Sequence, residues 1–320
     1  MEGVSCAGVE VAGVIVISAV VLTHDRPTLA RQTVKYLIGA EGLAPDRITL
    51  IVNGVGGVDD PVLARRISIW NTGANLGPAG GFAAALDWAS RADVGEWLYV
   101  CEDDIGLLSL PTGRAARIID MVSGMAPEQR DRVGAVVAYG RTLDPGTGRT
   151  VPHRCQCPSR PELEQVDAAA WGATIMHRRV LDAGVRPDPS LYFGFEDFDF
   201  FMRLRARGFD MYVDCASERA VANEVSAHGR DRLFVGRRPT DREEPWRHYY
   251  FARNFVHLAR RYGSNGWIAR FLPRLFRRWT LDMGADVARS LARGYVDGLR
   301  GRTGAHPAYC RTAGETSHEG

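Results

Sequence analysis

Residues 97–104 read Trp97-Leu98-Tyr99-Val100-Cys101-Glu102-Asp103-Asp104, an apolar run that stops abruptly at three carboxylates. A short apolar run bounded by charge is the pattern of a strand buried on both faces, with its polar residues just beyond the strand end. Outward from it, Val14–Leu22, Ile48–Val52 and Ile67–Trp70 read as three further strands. A helix that opens at Pro27 and runs to about Leu37 lies between the first two, and an alanine-rich helix spans Phe82–Ala92. Strands alternating with helices at this spacing predict an α/β fold with a mainly parallel sheet, in which ligands bind at the carboxyl ends of the strands. The triplet Glu102-Asp103-Asp104 stands at that edge.

Downstream, Val133–Tyr139 reads as a strand, Asp144–Gly148 as a turn and 152–161 as an irregular polar stretch. A strand over Trp171–Met176 follows, then a helix over Glu196–Arg207 closed by Gly208, then a strand over Met211–Cys215. From Trp246 the chain changes character. Residues 246–302 hold 12 arginines and 3 aspartates, a local net charge of +9 in a chain whose total is +2. The division expected is an α/β domain over 1–245, a basic helical extension over 246–302 and a disordered tail over 303–320.

With 320 residues, 45% hydrophobic and 24% charged, the chain can bury a sizeable core, which excludes a disordered protein, collagen or a disulfide-stapled miniprotein. All basic residues except Lys35 are arginine, which reads as coding bias. The six cysteines, at 6, 101, 155, 157, 215 and 310, show no repeating spacing. Reduced thiols and a cytoplasmic protein are therefore the expectation. The apolar run Val11–Leu22 is too short to span a bilayer as a helix, and no Lys or Arg precedes Arg26, so it reads as a buried strand.

Several constellations carry chemistry. Three carboxylates at a strand end offer hard oxygen ligands for Mg²⁺ or Mn²⁺ shared with a diphosphate, where an isolated triplet would be a solvated turn. Asn75-Leu76-Gly77-Pro78-Ala79-Gly80-Gly81 puts three glycines at a strand-to-helix junction, suited either to close approach of a phosphate or to a tight turn. Glu196-Asp197-Phe198-Asp199 opens a helix amid Tyr192, Phe193, Phe195, Phe200 and Phe201. Carboxylates in such an apolar wall gain proton affinity, which suits a general base, although the helix dipole alone also favours acids there. His153-Arg154-Cys155-Gln156-Cys157 hints at zinc but has no second close pair, so unmetallated thiols are expected. Trp267, Ile268, Phe271, Leu272, Leu275, Phe276 and Trp279 form an apolar stripe flanked by arginines. It fits an anionic membrane, a polyanion or docking on the core.

Taken in order, these elements resemble the family 2 glycosyltransferases, the inverting GT-A enzymes that include rhamnosyl- and galactofuranosyltransferases. The resemblance rests on Val20-Val21-Leu22-Thr23-His24-Asp25-Arg26, the 75–81 loop, Glu102-Asp103-Asp104, Trp171-Gly172-Ala173, Phe195-Glu196-Asp197-Phe198-Asp199-Phe200 with Arg203, and His228. It covers about 14–229 and implies a GT-A fold with a C-terminal helical extension.

It implies Asp197 as the general base, Asp104 and His228 as ligands of Mn²⁺ or Mg²⁺, and a nucleotide-sugar donor. The donor would lie against Thr23, Asp25, Arg26, Asn53, Asn75, Gly77, Gly80, Gly81, Glu102 and Asp103. Trp171, Gly172 and Glu196 fall on the acceptor side. Val52 stands where the family usually has an Asp that reads the nucleobase, so base recognition shifts elsewhere, to Asp25 or Arg26.

The acceptor implied is a small molecule or a lipid-linked glycan, with peripheral membrane contact through 267–302 and homo-oligomerisation both left open. No nucleic-acid motif is present. The competing functions are a non-catalytic GT-A-like scaffold that binds a polyanion or partner, and a nucleotidyltransferase, which the lack of glycine in Thr23–Thr28 disfavours.

Overall fold

The computed structural model describes residues 16–156, 162–228, 245–263, 266–269 and 284–309. The first half contains β1 (Ile17–Thr23), α1 (Pro27–Gly39), β2 (Ile48–Val52), α2 (Pro61–Ala64), β3 (Ser68–Asn71), α3 (Gly77–Arg91), β4 (Trp97–Glu102), α4 (Arg114–Ser123) and α5 (Pro127–Arg132). Then come β5 (Val133–Val137), β6 (Gly140–Asp144), β7 (Arg149–Pro152), β8 (Leu163–Gln165), β9 (Ala168–Ala169), β10 (Ala173–His177) and α6 (Arg179–Asp182). The chain continues through α7 (Glu196–Ala206), β11 (Asp210–Asp214), α8 (Cys215–His228), α9 (Pro245–Tyr262) and α10 (Ala285–Leu299).

Eight strands form one sheet in the order β3-β2-β1-β4-β10-β5-β11-β8. β3, β2, β1 and β4 are parallel, β10 runs against both β4 and β5, and β11 is parallel to β5 and antiparallel to β8. The expected mixed, mainly parallel α/β sheet flanked by helices is what forms. A small sheet, β7-β6-β9, sits beside it.

The alternation of side chains along each strand divides the core into two layers. Ala19, Val21, Leu50, Tyr99 and Ile175 pack with Val34 and Leu37 of α1 and Ile118 of α4. Val20, Leu22, Val100 and Met176 pack with Phe82 and Leu86 of α3 and Phe200 of α7 on the other face. Both faces are covered, which is why these strands are apolar throughout rather than alternating with polar residues.

Register places the functional segments at one edge. Thr23 pairs with Val52, and Leu22 with Glu102, so β1, β2 and β4 end together. Because β10 is reversed, its start lies at the same edge: Ala173 pairs with Cys101. Trp171-Gly172 therefore meets the acidic triplet.

Three features bear on the expectations. α9 packs across the expected boundary at 245/246: Tyr249 and Tyr250 are buried and pack with Tyr192. α9 and α10 approach closely because Gly294 and Gly298 lack side chains; a Cβ at Gly294 would run into the Tyr249 carbonyl. The tail is ordered as far as 309, since Tyr309 stacks on Tyr249 with centroids 4.4 Å apart and the His306 N–H donates to the Tyr250 hydroxyl at 2.9 Å. Residues 310–320 lie outside the described residues. Finally, Cys155 and Cys215 are joined as a disulfide, not held as free thiols. Cys101 is free and buried, while Cys6, Cys157 and Cys310 fall outside the description.

The apolar stripe begins docked, as Trp267 and Ile268 are buried and Trp267 Nε1 donates to Pro145 O at 2.8 Å. Those two side chains are committed to the core and not to a membrane. Residues 270–283 lie outside the described residues. No helix among the described residues is long and apolar enough to cross a membrane.

Candidate active site

The triplet at the end of β4 splits into three different environments. Asp103 is fully buried. Its carboxylate accepts from Thr23 Oγ1 at 2.5 Å and pairs with Arg26 Nη2 at 2.5 Å. Burial pushes its pKa up to about 6 against the pull of Arg26 and Thr23. Thr23 and Asp103 are thus spent on each other, and the expected donor contacts from these two become the anchor that holds Arg26 at the end of β1.

Asp104 is left outward, with a side chain 41% exposed and Arg26 Nη1 3.9 Å away. Glu102 titrates at about 8, raised first by burial and then by the charge of Asp104, with smaller contributions from Asp103 and Asp197.

The second group comes from the start of α7. Glu196 is buried and Asp197 half-buried. Burial raises Asp197 to about 6, opposed by the Phe198 N–H, which donates to its Oδ1 at 2.7 Å, and by the charge of Arg141. Glu196 is raised well above the ordinary carboxylate range by burial, then by Asp197, with Glu102 also contributing. Carboxylates at 102, 196 and 197 therefore lie close enough to feel one another's charge. Trp171 stacks on Phe82 at 4.3 Å and leans on Phe200 and Phe201. Trp171 Nε1 and Glu196 Oε2 are buried without a hydrogen-bond partner among the described residues. Beside Trp171, Gly172 has open space where a Cβ would stand.

The glycine loop differs from expectation. Asn53 Oδ1 accepts the Leu76 N–H at 2.8 Å while its Nδ2 donates to Gly77 O at 3.0 Å, and Asn75 Oδ1 accepts the Gly77 N–H at 2.9 Å. The Ala79 N–H is taken by Tyr192 O at 3.1 Å. The first amides of α3 are therefore capped by the protein itself and do not form a phosphate cradle. Gly77 sits at φ +68° where a Cβ would strike the Tyr192 carbonyl, so its role is close packing. Gly80 and Gly81 are buried against Leu76 and Leu22. Asn53 and Asn75 build the loop that supports the cleft, and His24 joins them, with Nδ1 2.6 Å from Asn53 O and Nε2 3.1 Å from Asn75 Nδ2.

Asp25 is exposed at the rim. Its φ of +51° makes it one of three described non-glycine residues with positive φ, the others being Tyr192 and Phe195. All three are in the loops that feed the cleft, where backbone strain tends to be kept. His228 ends α8, about 20 Å along the axis from Cys215. The sequence puts it after a strand-rich stretch, whereas a helix carries it; its side chain lies outside the described residues.

Residues not anticipated complete the site. Arg141, from β6, is buried beside Tyr139 and bears on Asp197. Asn254 of α9 donates through Nδ2 to Leu191 O, Phe193 O and Gly194 O at 2.8–2.9 Å, and Arg253 Nη2 donates to Leu191 O at 2.7 Å. The extension thus clamps the loop that presents Glu196 and Asp197. Arg253 reads as surface charge in the sequence, because its partner Leu191 O lies 62 residues away. Asn254→Ala is expected to take the side-chain donor from Phe193 O and Gly194 O, leaving Leu191 O to Arg253 alone, and to lower stability by about 1–3 kcal/mol, measured by urea denaturation.

No protein-family model matches the chain, and no curated protein matches it. Among solved structures 186 chains match. One is the crystal structure of GalNAc-T7 with UDP, GalNAc and Mn²⁺, at 13% identity and a TM-score of 0.49, covering 64% of this chain. The match spans 43% of that protein's chain, less than half its length.

Proposed function

We propose that this chain is an inverting, GT-A-type glycosyltransferase that moves a sugar from a nucleotide-sugar donor to an acceptor hydroxyl. The observation that carries the reading is the convergence at one sheet edge of the β4 carboxylates and Asp197, whose charges act on each other through Glu102.

The residues fit a divalent cation. Asp104 is outward, and the Glu102 anion is disfavoured by burial and then by its neighbours' negative charge, which a cation would offset. Asp103 is committed to Thr23 and Arg26. Two protein carboxylates with the remaining oxygens from a diphosphate is the usual arrangement for Mg²⁺ or Mn²⁺. When bound at Asp104 and Glu102, the ion would supply positive charge beside the leaving diphosphate.

The chain's own groups do the rest. Arg26, fixed by Asp103, offers its guanidinium to the diphosphate. Asp197 accepts the proton of the acceptor hydroxyl as that oxygen attacks the anomeric carbon from the face opposite the leaving group. Burial, then the charge of Asp197, raises the proton affinity of Glu196, which favours a neutral carboxyl that donates to a hydroxyl. The unpartnered Trp171 Nε1 and Glu196 Oε2 are atoms that an acceptor's hydroxyl groups can satisfy.

Nucleotide sugars screened by thermal shift with and without Mn²⁺ test the reading, with release of nucleoside diphosphate as the activity measurement. The expected result is a metal-dependent rise in Tm for one nucleotide class. Asp104→Ala should remove the metal-dependent part of nucleotide affinity in calorimetric titration and leave the fold intact. Failure of every nucleotide to bind would overturn the assignment.

A further inference from the structure

Away from the cleft, one side-chain cluster is built of metal-binding donors. His153 and Cys155 follow β7, Glu164 belongs to β8 and Cys215 opens α8. Ligand atoms of His153, Cys155 and Glu164 all lie within 4.8 Å of one another, and Cys215 is bonded to Cys155. His153 Nε2 stands 2.8 Å from Glu164 Oε2, and the Gln156 N–H donates to Glu164 Oε1 at 2.7 Å. The segment is anchored at both ends: the His153 N–H donates to Gly140 O at 2.9 Å and the Cys215 N–H to Glu162 O at 3.1 Å.

We propose that His153, Cys155, Glu164 and Cys215 form a tetrahedral zinc site in the reduced protein, of which the Cys155–Cys215 disulfide is the oxidised, metal-free form. The sequence alone left this assignment without a second pair of ligands, and the fold supplies one from β8 and α8. The donor atoms of His153, Cys155 and Glu164 are already gathered within reach of one ion, and Cys215, bonded to Cys155, turns in as the fourth donor once the disulfide is reduced. Two thiolates with an imidazole and a carboxylate suit zinc, whereas Mg²⁺ and Ca²⁺ take all-oxygen sets. Cys215 heads a 14-residue helix, a position that favours its thiolate.

The interconversion balances. A dithiol reductant gives two electrons to the Cys155–Cys215 bond and becomes a disulfide itself, leaving two thiols. Each thiol then loses its proton to solvent as zinc binds. Either form ties the segment after β7 to α8, next to the Arg154–Glu218 ion pair at 2.7 Å. The inference stands independently of the sugar-transfer reading.

The test uses the full chain, incubated with Zn²⁺ with or without a dithiol, then freed of loose metal and measured by elemental analysis. About one zinc per chain is expected in the reduced sample and none in the oxidised one. Cys155→Ser and Cys215→Ser should each abolish retention. His153→Gln and Glu164→Gln should lower zinc affinity about tenfold or more in chelator competition. His153→Gln keeps the cysteine pair, so its oxidised form reports on folding separately from metal loss. Co²⁺ in place of zinc should give a thiolate charge-transfer band and tetrahedral visible absorption. A reduced chain that retains no zinc, or a Cys155→Ser/Cys215→Ser double variant that keeps it, would overturn the proposal.

Discussion

Replacing Asp197 with Asn is expected to lower sugar transfer by about 10²–10⁴ while nucleotide affinity stays within a factor of two or so, since general-base catalysis is worth about that much and the amide preserves shape. The same carboxyl sets a pH dependence. Its folded value of about 6 lies above the ordinary value of 3.8. Transfer needs the ionised form, so the rate should rise with pH through about 6 and level off above it.

Stability runs the other way. A carboxyl that binds its proton more tightly in the folded state contributes stability below its unfolded pKa and loses that contribution as pH rises through its folded pKa. At neutral pH the ionised Asp197 is therefore a net cost, and Asp197→Asn should melt above the parent in metal-free buffer. Near-normal turnover in the Asn variant, or a rate that is flat between pH 5 and 7, would remove Asp197 from the role of base.

A loss of about 3–5 kcal/mol is expected for Asp199→Ala, out of a typical total of about 5–15 kcal/mol. Asp199 is fully buried one turn into α7. It accepts from Arg203 Nε and Arg261 Nη1, each at 2.6 Å, and from the Tyr262 hydroxyl at 2.7 Å. Asp188 closes the network by pairing with Arg203 at 3.0 Å and Arg261 at 2.9 Å. Both arginines are more than a third exposed and can turn towards water, which places the expected loss at the low end, about 3 kcal/mol. Urea denaturation of Asp199→Ala, Arg261→Ala and the double variant measures it. The double variant should lose much less than the sum of the two, since the second change removes a partner already orphaned. A loss below about 1 kcal/mol for Asp199→Ala would show that the network is solvent-like.

What the sequence revealed followed from local pattern. Ile48–Val52 matches the observed strand, and β4 and α7 lie within a residue or so of their expected bounds, because buried apolar runs and helix openings are written in neighbouring residues. That 104 and 197 face one site is what the family resemblance implies, not something local pattern writes. Features set by distant partners were not legible. α4 buries Ala115, Ile118, Ile119 and Val122 on one face, a pattern its flanking arginines obscure in the sequence. Asn53 looked like a donor ligand because nothing local shows that its amide is occupied by Leu76 and Gly77. Cys155 and Cys215 are 60 residues apart without a shared motif. The grip of Asn254 on 191–194 joins a helix to a loop that simple charge counting had put in a separate domain.

The reversed strand β10 also constrains how the chain can be made. Among the described residues β5 pairs with β10 and β11 alone, both of which leave the ribosome after it, and β10 must slot between β4 and β5. A nascent chain that has reached Asp144 therefore exposes one edge of β4 and both edges of β5, all of high apolar content, until residues 173–214 emerge. Such edges are templates for mispairing and slow, non-local closure. Fragments ending between β5 and β10 are the ones that should precipitate, while β1 to β4 already constitute a four-strand parallel unit.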